Sequence, residues 1–274
     1  MLKRIWTGIA LVALLAFALY MGGWTFAVLL MAAICLSIYE EYRAFALAGN
    51  RPVQWPAWVC MVASIPLFVL TRNTNIILAL TCLACFLIVL NVIFREKPNI
   101  EDLMASALPL ISVLLPGLCI LGLLRAPTRL TQTMLILLCF GIPLMGDTLA
   151  YFIGSRFGKH SLCPAVSPHK TVEGSLAGMA GSMLFAVLSW YVFGLFEAMP
   201  PLWHFLLLGV GAGIAGQVGD LFASLIKRHC NIKDFGNLFP GHGGMMDRLD
   251  STYFSAIVVY IYYSWLFTAW IRNG

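Results

Sequence analysis

Charge is scarce in this chain. Asp, Glu, Lys and Arg make up 11% of its 274 residues, against about 25% in ordinary soluble domains. Together with 61% hydrophobic residues and a mean hydropathy of +0.88, that shortage excludes a water-soluble globular domain. The chain also lacks an internal repeat, a low-complexity tract and a tail long enough for a second domain. One membrane domain, residues 1–274, is therefore expected. No small-residue cleavage site stands out after the apolar stretch that follows Lys3 and Arg4, and a second hydrophobic stretch comes almost at once. A retained helix is expected there, not a signal peptide. The eight cysteines offer a single C-x-x-C pair, "CLAC" at Cys82 and Cys85. It lies inside a predicted membrane helix, where small core-filling thiols are expected in place of a redox or zinc site. The net charge of +5 is what a membrane protein beside an anionic leaflet carries; it is not a nucleic-acid signature.

What is present is apolar sequence in lengths that suit a bilayer. About 20 apolar residues cross the hydrocarbon as a helix, and candidates lie near 5–20, 24–39, 55–71, 75–94, 104–124, 132–153, 175–196, 203–226 and 252–271. The expected fold is an all-α integral membrane protein of about nine transmembrane helices, the first two short enough to be tilted or partly re-entrant. Positive charge is held on the cytoplasmic side. With nine crossings, one side receives Lys3, Arg4, Arg43, Arg51, Arg95, Lys97, Arg156, Lys159, Lys170, Lys227, Arg228, Lys233 and Arg248, and the other Arg72, Arg125, Arg129 and Arg272: thirteen and four of the 17 Lys and Arg. The N-terminus is thus expected in the cytoplasm. Eleven of the 12 acids, all but Glu197, fall on or near that side as well. Acid–base and metal-binding capacity would then face the compartment where nucleotides are found.

The polar stretches are unequal. Residues 40–54, "EEYRAFALAGNRPVQ", and 95–103, "REKPNIEDL", read as short solvated connectors near lipid headgroups. Residues 146–178 are more specific. Asp147 lies within an apolar stretch, and an intramembrane carboxylate is by default a functional candidate, the alternative being a buried acid paired with a nearby base or hydroxyl. Downstream, "SPHKTVEG" gathers Ser167, His169, Lys170, Thr171 and Glu173 just ahead of a predicted helix. A helix N-terminus with a lysine beside it suits phosphate, through free N–H groups and the helix dipole; a basic juxtamembrane loop is the competing reading.

The richest stretch runs from Gly219 to Asp250. Asp220 and Ser224 are four apart and share a helix face, which Lys227 or Arg228 continues. Then comes "KDFGNLFPGHGGMMDRLD", residues 233–250, with three aspartates, a histidine, a lysine, an arginine and four glycines. A loop joining two membrane helices needs no such inventory. Gly241, Gly243 and Gly244 flank His242 and would let backbone approach a bulky anion. Asp247 and Asp250, three apart, open the last helix. Asp220 and Asp247 thus enter the membrane from opposite ends of one loop, on sequential helices that can be neighbours. Ion pairing with Lys227, Lys233 and Arg248 would neutralise these acids. A divalent cation accounts better for the glycines, since Mg2+ is commonly held by one or two carboxylates plus substrate phosphates.

Residues 224–251, "SLIKRHCNIKDFGNLFPGHGGMMDRLDS", closely resemble the signature of the phosphatidate cytidylyltransferases, S-x-x-K-R-x4-K-D-x-G-x-L-x-P-G-H-G-G-x-x-D-R-x-D. Ser224, Lys227, Arg228, Lys233, Asp234, Gly236, Leu238, Pro240, Gly241, His242, Gly243, Gly244, Asp247, Arg248 and Asp250 all fall in place. "DTLAYFIGSRFGKH" and "SPHKTVEG" resemble further pieces of that family. The likeness is specific over 146–251; residues 1–130 agree mainly in hydropathy and length, and 131–274 would be the catalytic half.

The resemblance implies an integral membrane enzyme that joins CTP and phosphatidate into CDP-diacylglycerol and pyrophosphate. Asp220 and Asp247 resemble metal ligands, with Asp250 as a supporting carboxylate. Lys227, Lys233, Arg248 and His242 would be catalytic. Ser167, Lys170, Thr171, Ser224, Arg228, Gly243 and Gly244 would hold the CTP and lipid phosphates. One Mg2+ is the minimum, with a second ion, monovalent or divalent, left open. A cleft near the cytoplasmic side of the inner membrane, open to water and to lipid, would admit both substrates. A homodimer is an option, and no nucleic acid is expected. The rivals are a CTP-dependent polyprenol-type lipid kinase and, from another class, an ion-coupled transporter using Asp147 and Asp220. A CDP-alcohol phosphotransferase would need a D-G-x-x-A-R type motif, which the chain lacks.

Overall fold

The structure is a computed structural model that describes residues 2–71 and 74–273. Arg72, placed above on the sparsely charged side, lies outside the described residues. Among those described, helices form wherever an apolar stretch was expected: α1 (Leu2–Met21), α2 (Gly23–Leu47), α3 (Trp55–Thr71), α4 (Thr74–Ile93), α5 (Ile100–Leu123), α6 (Arg129–Phe157), α7 (Val172–Gly194), α8 (Leu202–His229) and α9 (Met246–Ile271). The segments α2 and α5 to α9, together with Ile76–Ile93 of α4, are long and apolar enough to cross a membrane; Trp6–Met21 and Trp55–Ser64 are shorter apolar helices. With seven helices of that length and composition among the described residues, the chain is a multi-pass membrane protein. Among the described residues its only sheet is one antiparallel hairpin, β1 (Ser161–Cys163) with β2 (Ser167–Thr171). That hairpin was not expected from the sequence.

Both polar connectors prove more structured than their composition suggests. The 40–54 stretch is no solvated loop at its start, because α2 continues to Leu47. The apolar spacing of Ile34, Ile38, Tyr42 and Phe45, all buried, carries the helical period straight through Glu40 and Glu41, which are buried with them. In the 95–103 stretch, Asn99 caps α5 by accepting the Glu101 N–H. Asp102, also buried, accepts from the Arg51 N–H at 2.7 Å and from Arg95 Nη1 at 3.0 Å. A buried carboxylate needs partners of this kind.

The chain divides into two compact units, and both are discontinuous in sequence. Unit 1 comprises residues 1–118 and 229–248; unit 2 comprises 119–228 and 249–274. The signature stretch therefore leaves unit 2 after Arg228, supplies the loop of unit 1, and re-enters unit 2 at Leu249. Within unit 1, α2 and α5 are joined by polar contacts: Ser112 Oγ donates to Glu41 Oε2 at 2.8 Å and the Tyr42 hydroxyl to the Ser106 carbonyl at 3.0 Å. Burial, and then neighbouring Glu41, pushes the Cys230 thiol up to about 11, so it stays protonated as a packing group.

Unit 2 is assembled on small residues. Where a Cβ on Gly178 would stand, the Gly146 carbonyl and the Gln217 Nε2 are each 3.0 Å away; on Gly209, the Met183 Cα is 2.8 Å away. Helices α6, α7 and α8 therefore approach closely enough to touch backbone to side chain, the way helices associate where lipid gives no hydrophobic drive. Ser182 Oγ donates to the Ile142 carbonyl at 3.1 Å, and Ser175 Oγ to Gln217 Oε1. This close packing brings α8, and with it Asp220, against α7.

Candidate active site

In unit 2 the polar groups collect around Asp220. The β1–β2 hairpin delivers Lys170 immediately before α7, and Thr171 caps that helix by accepting the Gly174 N–H at 3.1 Å. An ordinary Ser/Thr cap thus sets the phase of α7 and fixes the lysine at its mouth. Lys170 Nζ forms an ion pair with Asp220 Oδ2, the two side chains being 28% and 27% exposed. That half-buried setting matters, because a pair still open to water can exchange its partners. Asp250, buried on α9, lies within electrostatic reach of Asp220, Lys227 and Asp147. Its Oδ1 accepts from the Ser251 N–H at 2.7 Å and from Ser251 Oγ at 3.3 Å. Asp147 is at the exposed side of α6, its Oδ2 3.5 Å from Ser251 Oγ. Arg228 Nε donates to the Val166 carbonyl at 3.3 Å, tying the hairpin to the end of α8. Ser224 and Lys227 follow Asp220 along α8, both half-buried, while Ser167 sits half-buried on β2.

In unit 1 the candidates lie on the loop that ends at α9. Gly241 and Gly243 take φ of 81° and 79°, a left-handed backbone that glycine adopts without strain, and they turn the chain about His242. The Phe239 N–H donates to the Gly243 carbonyl at 2.9 Å and the His242 N–H to the Phe239 carbonyl at 2.8 Å, closing the turn. The His242 Nδ1 is 2.6 Å from Thr7 Oγ1. Asp247 is buried, and its Oδ2 accepts the N–H groups of Phe235 at 2.8 Å and Gly244 at 2.9 Å. A Cβ on Gly243 would stand 2.7 Å from that same oxygen. The anions that these glycines admit, in this structure, are the protein's own carboxylates. Lys233 and Arg248 are exposed.

The sequence reading passed over an acid that meets the charged loop. Glu40 of α2, 6% exposed, accepts the Met245 N–H at 3.0 Å and the Met246 N–H at 2.9 Å. The signal that would have found it is the apolar period running through "SIYEEYRAF".

The donor set suits a hard cation in chemistry, being carboxylate oxygen throughout. Among the described residues, however, no group of three or more His, Cys, Asp or Glu could hold a metal ion.

Residues 2–266 match the family described as "Cytidylyltransferase family". A phosphatidate cytidylyltransferase of Synechocystis sp. is 32% identical over 95% of this chain and 95% of its own length. Proteins of the same name from Bacillus subtilis, 42% identical over 43% of this chain and 42% of theirs, and Aquifex aeolicus, 42% identical over 53% and 52%, match more locally. The matched stretch thus spans about half the length of those two relatives. With the match running nearly end to end, the chain belongs to the cytidylyltransferase family.

Proposed function

We propose that this protein transfers CMP from CTP to phosphatidate, giving CDP-diacylglycerol and pyrophosphate, at the cytoplasmic face of the inner membrane. The observation that carries the reading is the Lys170–Asp220 ion pair, a lysine held beside a carboxylate at a helix mouth, in a chain that matches the family from residue 2 to residue 266. The names of the relatives supply the two substrates. With the two shorter apolar helices counted as crossings beside the seven, the thirteen-to-four split of the 17 Lys and Arg supports the orientation.

A non-bridging oxygen of the lipid phosphate attacks the α-phosphorus of CTP in line. The bond from that phosphorus to the bridging oxygen of the β-phosphate breaks, and pyrophosphate leaves with the electron pair. The nucleophile is already an anion, so no serine or histidine nucleophile is needed. The obstacle is repulsion between two highly charged phosphates, which fixed positive charge lowers. Lys170 and Lys227 are the proposed partners of these phosphates in unit 2, and Lys233, Arg248 and His242 in unit 1; Ser167, Thr171, Ser224 and Arg228 line the polar approach. Asp220 and Asp250 in unit 2 are proposed oxygen ligands of Mg2+, and Asp247 in unit 1 is a further carboxylate proposed for it; a bound ion would screen the phosphates and polarise the α-phosphoryl group. Lys170 then has two roles: it neutralises Asp220 at rest and offers its ammonium to an incoming phosphate.

The deciding experiment supplies purified protein with short-chain phosphatidate and CTP labelled at either the α- or the γ-phosphate. The proposal expects the α label on lipid and the γ label in pyrophosphate. A γ label on lipid would make the protein a kinase and overturn it.

A further inference from the structure

Glu40 has no place in the signature, yet unit 1 is shaped around it. Both of its carboxylate oxygens are engaged by backbone: Oε1 accepts from Met245 N–H and Oε2 from Met246 N–H. A Cβ on either Gly236 or Gly244 would run into this carboxylate, so two glycines of the loop are the notch in which it rests. Asp247 takes the amides of Gly244 and Phe235 and lies within electrostatic reach of Glu40. Two buried acids in such proximity repel each other. They are held together because successive amides at the start of α9, those of residues 244, 245 and 246, point at them, as N–H groups at a helix start favour negative charge. A side chain that served packing alone would not need an ionisable group here, since burying one without partners costs several kcal/mol.

We infer that Glu40 is a positioning residue for nucleotide transfer: from α2 it locks the glycine-rich loop into the one shape that presents Lys233, His242 and Asp247 to the triphosphate. The inference rests on the proposed transferase reading and adds a residue to it. The loop is built on backbone turns at Gly241 and Gly243, which alone leave it free to adopt other shapes. The two hydrogen bonds from Glu40 remove that freedom before substrate arrives, so binding does not have to supply the ordering.

The test uses the full chain in detergent, with α-labelled CTP and short-chain phosphatidate, on Glu40→Gln, Glu40→Asp, Glu40→Ala, Gly244→Ala and the double variant Glu40→Ala with Gly244→Ala. Glu40→Gln sets an amide NH2 against one of two N–H donors. It is expected to lower kcat/KM for CTP roughly 10- to 100-fold, the penalty of one lost charge-assisted hydrogen bond. The loss should fall on KM for CTP, leave KM for phosphatidate unchanged, and come with faster amide exchange at Met245 and Met246. Glu40→Asp, too short to reach both amides, should fall between Gln and wild type. Gly244→Ala should be harmful in the wild-type background and add nothing once Glu40 is alanine, because the methyl then occupies the space the carboxylate left.

Wild-type kinetics in Glu40→Gln, or a lowered Tm with both KM values and kcat unchanged, would overturn the inference. If Glu40→Gln does not fold, Gly244→Ala still decides, since it disturbs the same contact with Glu40 in place. A wild-type protein that puts no α label on lipid would refute the transferase reading instead. Amide exchange at residues 245 and 246 and the Glu40–Gly244 coupling, read in Tm, would then still judge the clamp.

Discussion

In unit 1 the carboxylates of Glu40 and Asp247 are held by four backbone N–H groups of a single loop; in unit 2 Asp220 is held by the ammonium of Lys170, at the end of a flexible side chain. The difference is one of exchange. A backbone amide cannot leave its acceptor unless the loop refolds, whereas a lysine needs only to change rotamer. The acids of unit 1 therefore fix a shape, whereas Asp220 keeps a charge whose partner can be exchanged.

Paired substitutions test that contrast most severely. Asp220→Asn should reduce turnover on the order of 1,000-fold, the scale seen when a preorganised electrostatic group is removed, with almost no change in Tm, since Asp220 is 27% exposed and loses only a half-solvated ion pair. Asp247→Asn should abolish turnover to a similar degree but also destabilise the protein by about 1–3 kcal/mol, because the amides of Phe235 and Gly244 lose a charged acceptor. Activity and thermal melts measured on both variants check this. Equal stability in the two would erase the distinction between a shape-fixing acid and an exchangeable one. Chelation sharpens it from the other side: EDTA should stop wild-type turnover, and restored Mg2+ should recover it, while amide exchange at residues 235 and 244 stays slow throughout, because the protein's own Asp247 holds those groups.

Much of the architecture was legible because bilayer physics writes long apolar runs, and every helix grew from one of them. Length was harder to read. Charges at Glu40 and Glu41 were taken for the end of α2, when burial of Ile38, Tyr42 and Phe45 on either side keeps the helix going. The same habit hid Asp102, whose partners Arg51 and Arg95 come from two different connectors. The candidate residues themselves stood out as charge and glycine in an oily chain. What each one touches did not, since Lys170 and Asp220 are fifty residues apart and are joined by the hairpin, for which the sequence carried no clear period. The division into two interleaved units is likewise invisible in sequence, because unit 1 borrows its loop from the far end of the chain.

Lys233 supplies a milder test of the unit 1 loop. It is exposed and spends nothing on the fold, so Lys233→Ala should raise KM for CTP about tenfold, the worth of one charge-assisted phosphate contact, and leave Tm where it was. An unchanged CTP dependence would remove it from the nucleotide's partners and confine the loop's contribution to Asp247 and His242.

The smallest effect is expected at Leu78, and it separates both units' polar chemistry from the apolar scaffold. Leu78 is 56% exposed on α4, whereas the adjacent Ile77 is 4% exposed. In a bilayer an outward leucine meets lipid tails about as apolar as itself, so trimming it removes no hydrophobic drive of the kind water would supply. Leu78→Ala should therefore stay within about twofold of wild-type activity and lose under about 0.5 kcal/mol. Ile77→Ala, next to it, should open a cavity costing about 2–5 kcal/mol without changing KM for CTP in the molecules that remain folded. If Leu78→Ala altered KM for CTP as Lys233→Ala does, substrate binding would depend on the outer surface of α4, and the assignment of nucleotide binding to the charged loop would fail.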